Sequence, residues 1–318
     1  MFSIIGHKRI ILFLEKSIAN HKLSHAYLFY GPNHIGKSKV AEYFAARLLC
    51  LNKVEGAGPC GECASCQQVI KKIHPDVYWV SEAEDKDKIS INQIRQLREA
   101  LILTPLSGIY KIAIIENAEN LTIQAANSFL KLLEEAPKNT IIILLARSFH
   151  SVLPTIRSRC QNLRFSCPSQ EEIQSFLEKR FNSKPETIEF ILSLSQDQPG
   201  LAIELAENPE KLSEFQGVAD EFINLLVENN SENKFKLADS IQDGKILSQW
   251  LKIIRYLILA RSGADSKRKF LQKSIDKIIK KYTQKELSQI AQAILRAQFY
   301  LQRNVNQKLV IEDLLINI

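Results

Sequence analysis

Four groups of residues in this 318-residue chain have the types and spacing to do chemistry. Gly31-Pro32-Asn33-His34-Ile35-Gly36-Lys37-Ser38 fits G-x-x-x-x-G-K-S, a spacing that lets backbone N–H groups close around phosphate oxygens. In that pattern Lys37 reaches the β- and γ-phosphates and the Ser38 hydroxyl ligates Mg²⁺. A phosphate site of this kind needs a carboxylate on a neighbouring strand, and Glu116, ending the run Lys111–Glu116, is the candidate. The next position, where a water-activating acid would sit, is Asn117, whose carboxamide can orient water but cannot take its proton. Glu119 lies two positions further and reads as a surface residue.

Cys60, Cys63 and Cys66 follow one another at two-residue gaps, and Cys50 adds a fourth thiol after nine intervening residues. Clustered cysteines in a reducing compartment argue for metal over disulfides. Four thiolates suit a closed, structural Zn²⁺ site with no position open for water. An iron–sulfur cluster could use the same ligands, and buried free thiols are the plain alternative. Gly56, Gly58, Pro59 and Gly61 make the segment read as a loop. The fourth group is Leu153-Pro154-Thr155-Ile156-Arg157-Ser158-Arg159-Cys160, with two arginines after an apolar strand. Either arginine could serve a neighbour's γ-phosphate across a subunit interface, or simply form a surface salt bridge.

These residues need positioning elements, and the hydrophobic pattern supplies them. Ala26–Tyr30, Val77–Val80, Lys111–Glu116 and Thr140–Ala146 read as strands. Lys39–Cys50, Ile91–Leu103 and Leu121–Glu135 read as helices between them, the last stopping before Pro137. The alternation implies an α/β fold with a parallel sheet. Beyond Phe165, Glu171–Arg180, Lys184–Ser195 and Gly200–Glu207 read as three helices, and from Pro209 the pattern is helical throughout. Three domains follow: α/β over 1–165 with the cysteine insertion at 50–66, a small helical domain over 166–207, and a larger helical domain over 208–318.

Composition narrows the setting. Hydrophobic content is 45% and charged content 24%, ordinary for a globular chain. The apolar run Ile141–Ala146 is far too short to span a bilayer, and Lys8 and Arg9 interrupt the N-terminal apolar stretch, so a cytoplasmic location without membrane attachment is expected. Residues 245–318 hold 15 Lys and Arg against 5 Asp and Glu, a balance of +10 that leaves −3 for the rest of a +7 chain. Such a basic third suits nucleic acid, an acidic partner, or plain solvent.

Together these elements resemble the delta-prime family of bacterial DNA polymerase III clamp-loader subunits, within the AAA+ proteins. The resemblance runs through Ile4-Ile5-Gly6, Leu23–Phe29, the phosphate loop, the cysteine cluster, His74-Pro75-Asp76 and Ile89–Arg95. It is most recognisable in Ala125–Glu135 and in Ser158-Arg159-Cys160, and reappears near the end in Asn304-Val305-Asn306 with Leu309, Glu312 and Leu314. The resemblance implies an AAA+ domain, a three-helix lid and a helical collar. It implies a heteropentamer with delta and gamma/tau subunits that opens the sliding clamp and closes it around primed DNA. It also implies that Arg159 is a trans-acting arginine finger framed by Ser158 and Cys160, with Arg157 the weaker choice.

Departures from the family pattern sharpen the role. Asn117 breaks the acidic pair, Leu201-Ala202-Ile203 after Gly200 lacks a phosphate-sensing arginine, and Ala136 precedes Pro137 where a second proline is common. These point to a subunit that binds ATP with Mg²⁺ yet hydrolyses it poorly alone. The rival readings are a gamma/tau-type motor ATPase, a zinc-containing small-molecule kinase and a stand-alone DNA-binding zinc protein.

Overall fold

Alternating side chains on the inner strands of a five-stranded parallel sheet create two apolar faces, and helices of the N-terminal half cover both. The computed structural model describes residues 2, 4–52, 54, 58–83, 86–181, 184–195, 198–228, 246–262, 272–301, 303, 305–316 and 318. Gly56 and Asn304, used above, lie outside the described residues. The chain divides into two compact units, residues 1–172 with 198–200, and residues 173–197 with 201–318.

In the first unit the strands are β1 (Ala26–Tyr30), β2 (Val77–Val80), β3 (Lys111–Ile115), β4 (Thr140–Ala146) and β5 (Gln161–Arg164). They form one sheet in the order β2-β3-β4-β1-β5, every pair parallel. Strands β3 and β4 are buried along their whole length, as expected of strands covered on both faces. Tyr27, Phe29, Ile112, Ile114, Ile141, Ile143 and Leu145 point to one side, into a core shared with α1 (Lys8–Ala19), α2 (Lys37–Leu49) and α3 (Ala64–Ile70). Ala26, Leu28, Ala113, Ile115, Ile142, Leu144 and Ala146 point to the other, onto α4 (Ile91–Ile102) and α5 (Ile123–Glu134).

Local chemistry sets the helix ends. Ser90 and Gln93 form a reciprocal capping box that starts α4. Helix α5 begins at Ile123, two residues later than the apolar pattern suggests, because the Thr122 hydroxyl accepts from the Ala125 N–H and fixes the start there. Helix α2 begins at Lys37, earlier than expected, because Gly36 turns the chain with φ of 100°. Asp76 is fully buried between β2 and the turn before β3, where it accepts from the N–H groups of Leu106 and Ser107 at 2.7 and 2.8 Å and from the Ser107 hydroxyl at 3.1 Å. Those donors satisfy the charge that burial would otherwise penalise, and they hold the carboxyl below its usual range.

After β5 and the short α6 (Pro154–Arg157) that precedes it, the described residues are helical: α7 (Gln170–Arg180), α8 (Pro185–Ser195), α9 (Pro199–Glu207), α10 (Pro209–Glu228), α11 (Ile246–Arg261), α12 (Gln272–Lys281), α13 (Gln284–Leu301) and α14 (Gln307–Ile316). Helices α10 to α14 enclose a core of their own. Phe222 and Trp250 stack at its centre with ring centroids 4.6 Å apart, and Leu257, Ile278, Leu287, Ile294 and Ile311 close around them. No helix among the described residues is long and apolar enough to cross a membrane.

Candidate functional site: a phosphate loop, a thiol cluster and an exposed arginine

The phosphate loop joins the C-terminal end of β1 to α2, where ligands gather in open parallel sheets. It packs too tightly for side chains at its first glycine. A Cβ on Gly31 would lie 2.4 Å from the Phe165 carbonyl oxygen and 2.9 Å from Ile35 Cδ1. Gly36, Lys37, Ser38 and Glu116 line an open cleft of about 440 Å³ together with Asn33, His34, Arg147 and Gly200. Gly200 belongs to the same unit and donates its N–H to the His34 carbonyl at 2.7 Å.

Lys37 is buried, and its ammonium donates to the Gly31 and Pro32 carbonyls at 2.6 Å each. Burial, with the Arg147 charge adding to it, brings its pKa down to about 8, against the pull of Glu119. A phosphate is a stronger, charged acceptor for the same ammonium and raises that value. Phosphate bound there is therefore expected to take up a proton above about pH 8, and its affinity to weaken as pH rises, approaching tenfold per pH unit. Calorimetry of ATP binding in buffers of different ionisation enthalpy reads that uptake directly. Affinity that stays flat between about pH 7 and about pH 9 would remove Lys37 from the phosphate site.

The structure brings the expected metal pair together, with the Ser38 hydroxyl 3.5 Å from Glu116 Oε1. The neighbouring Asn117 has a left-handed backbone, φ 48°, and its amide donates to Glu82 Oε2 at 3.1 Å. Asn120 donates to the other oxygen of Glu82 at 2.6 Å, so both amides hold one carboxylate, while Asn117 still lines the cleft. Glu119 is not the surface residue its position suggested. Its side chain is 11% exposed and its oxygens lie against Arg147, Oε1 at 3.3 Å from Nε and Oε2 at 3.4 Å from the backbone N. Sequence reasoning missed Arg147 as a lining residue. The signal was available, because Arg147 directly follows the C-terminal end of the strand paired with β1.

The four cysteines converge, with sulfurs all within 4.8 Å of one another. Cys60 and Cys66 Sγ are 3.9 Å apart, close to the spacing of about 3.8 Å that a tetrahedral zinc with bonds of about 2.3 Å requires. Backbone N–H groups of Cys63 and Cys66 point at the sulfurs of Cys60 and Cys63, at 3.3 and 3.4 Å. Burial opposes ionisation of Cys63, but N–H donors of Cys66 and Leu51 outweigh it and bring the thiol down to about 6. Burial pushes the Cys66 thiol well up instead. Cys66 is no loop residue, contrary to the glycine-rich reading. It lies in the first turn of α3, fully buried in the sheet core, and Cys50 is buried at the end of α2. The donor set, spacing and N–H···S bonds fit a single thiolate-bound divalent metal.

The two arginines divide cleanly. The Arg157 guanidinium lies 4.3 Å over the Phe149 ring and donates to the Phe149 carbonyl at 3.2 Å, so it is a packing residue. Arg159 is exposed, donating to the Thr155 carbonyl at 3.0 Å and to Glu134 Oε1 at 2.6 Å.

A parallel sheet in this order, with a phosphate loop after β1, a carboxylate after β3 and a helical segment following, defines an AAA+-type nucleotide-binding fold. The family described as DNA polymerase III, delta subunit, matches residues 6–169. Over 320 residues the chain is 30% identical to DNA polymerase III subunit delta' of Bacillus subtilis, covering 97% of this chain and 94% of that protein. It is 39% identical to the subunit delta' of Pseudomonas aeruginosa over 178 residues, 55% of this chain and only 54% of that relative's length. Among solved structures it is similar to a DNA polymerase III gamma subunit-related protein of Thermotoga maritima, at 19% identity and a TM-score of 0.49 over 96% of this chain and 97% of that one. The chain belongs to the delta-prime family of DNA polymerase III subunits.

Proposed function

We propose that this chain is the delta-prime component of a cytoplasmic DNA polymerase III clamp loader, assembling with delta and gamma/tau subunits to place the sliding clamp on primed DNA. The observation that carries the reading is the similarity to the B. subtilis delta' subunit along nearly the whole of both chains. In this role the AAA+ domain, a helical lid and a helical collar correspond to residues 1–165, 166–207 and 208–318.

The phosphate loop holds ATP through the backbone of Gly31 and Gly36 and the Lys37 ammonium, with Ser38 and Glu116 ligating Mg²⁺. Hydrolysis by this subunit is weak. Asn117 cannot accept a proton and is bonded to Glu82, Glu119 is paired with Arg147, and no arginine follows Gly200 before Glu204. Cys50, Cys60, Cys63 and Cys66 hold a structural Zn²⁺ that fixes α3 against α2. Arg159 supplies positive charge to the γ-phosphate of a neighbouring subunit.

Reconstitution with delta and gamma/tau tests this role. Clamp loading onto primed DNA is expected to require this chain, while the isolated chain turns over no ATP above background. Loading that proceeds equally without it would sink the proposal, and steady turnover by the chain alone would make it a motor subunit instead.

A further inference from the structure

One cation already stands at the carboxylate that a nucleotide's metal would use. Lys72 Nζ lies 3.2 Å from Glu116 Oε1, the same oxygen that faces the Ser38 hydroxyl at 3.5 Å. The ammonium also sits 4.0 Å from the centroid of the Trp79 ring, so two independent contacts aim it.

The backbone at Lys72 carries a cost for this placement. Helix α3 ends in a paired C-terminal motif, the Lys72 N–H bonding to the Val69 carbonyl at 3.0 Å and the Ile73 N–H to the Gln68 carbonyl at 2.9 Å. That motif puts Lys72 in the left-handed region, φ 57°, where glycine is the usual residue and a side chain costs about 1 kcal/mol. A lysine in a position that favours glycine, stacked on a tryptophan and paired with the carboxylate that lines the phosphate cleft among the described residues, points to a role in that cleft.

We propose that Lys72 is a resident counter-cation for Glu116 that competes with Mg²⁺. Mg²⁺ binds through few protein oxygens and surrenders its waters reluctantly, so it depends on a carboxylate with uncompensated charge. Here the Glu116 charge is compensated from within the chain. Nucleotide, taken up by the loop as read above, is therefore gripped mainly by backbone N–H groups and Lys37, with little help from the metal. The inference rests on that nucleotide-binding reading.

The test is ATP binding to the full chain by calorimetry, with millimolar Mg²⁺ and in resin-treated buffer free of it. The native protein is expected to show less than about a threefold difference between the two conditions, and Lys72→Gly about tenfold tighter binding with Mg²⁺ than without. Lys72→Gly also removes the left-handed strain, so the fold is kept. Lys72→Met, which retains contact with Trp79 but not the charge, should follow the glycine variant, and Lys72→Arg the native protein. Adding Glu116→Gln to Lys72→Gly should abolish the gained Mg²⁺ dependence. ATP binding with equal Mg²⁺ dependence in the native and Lys72→Gly proteins overturns the inference alone, as does a gain that survives Glu116→Gln. Absence of ATP binding in every variant overturns the nucleotide reading and the inference with it.

Discussion

Arg159→Ala in a reconstituted clamp loader lowers ATP turnover at the site it completes by at least about 10³-fold, while the isolated chain melts within a degree or two of the native protein. The first expectation follows from the size of arginine-finger effects, which reach about 10³ to 10⁵ in turnover when the guanidinium meets a transferring phosphoryl group. The second follows from geometry. Arg159 is exposed and its ion pair with Glu134 joins two partly solvated groups, a contact worth roughly 0–1 kcal/mol. Arg157→Ala is the informative contrast. It strips a guanidinium from the Phe149 ring and its carbonyl bond, so it lowers stability by about 1–2 kcal/mol and spares turnover. Complexes carrying Arg159→Ala that hydrolyse ATP at the native rate would end the assignment, and a large loss from Arg157→Ala would move it two residues upstream.

If the four thiols hold zinc as proposed, Cys66→Ser is expected to lose it and to cost at least about 3 kcal/mol of stability, lowering the melting temperature by roughly 6–12 °C. Thiolate zinc sites in isolated peptides are worth about 10–16 kcal/mol. Part of that is replaced here, because Cys66 and Val69 are also packed into the sheet core beneath α2. A serine hydroxyl stays protonated near neutrality, so three thiolates remain and the fourth corner is lost. Cys167→Ser, at an exposed position far along the chain, should leave both metal content and melting unchanged. Elemental analysis is expected to find one zinc per native chain and much less than one for Cys66→Ser. Absence of metal from the native chain would show the cluster to be four ordinary thiols, and metal retained at full stability in Cys66→Ser would remove Cys66 from the ligand set.

The parts of this site that were legible in the sequence share a physical cause. β1 and β4 are short apolar runs because both faces of a central strand are covered, and the phosphate loop is readable because its glycines answer to close packing at fixed offsets. β5 was not legible. Gln161–Arg164 is a mostly exposed edge strand, held by pairing with β1 and carrying no hydrophobic alternation. The thiol spacing was plain, but not that Cys66 sits on a buried helix turn, since α3 is only seven residues long. Glu119 read as exposed because its partner, Arg147, lies 28 positions away on another strand's end. Lys72 escaped notice for the same reason, being 44 positions from Glu116.

The strand order also sets a timetable for synthesis. β1 lies between β4 and β5, and Ala26 stands opposite Ile142, 116 positions later in the chain. At translation rates of about 5–20 residues per second, β1 waits several seconds or more on the ribosome with neither neighbour available. Cys50, Cys60, Cys63 and Cys66 are all made well inside that interval. The thiol cluster is thus among the earliest distant closures open to the growing polypeptide. The phosphate loop, pinned where the Phe165 N–H meets the Tyr30 carbonyl at 2.8 Å, is completed only once residue 165 has emerged.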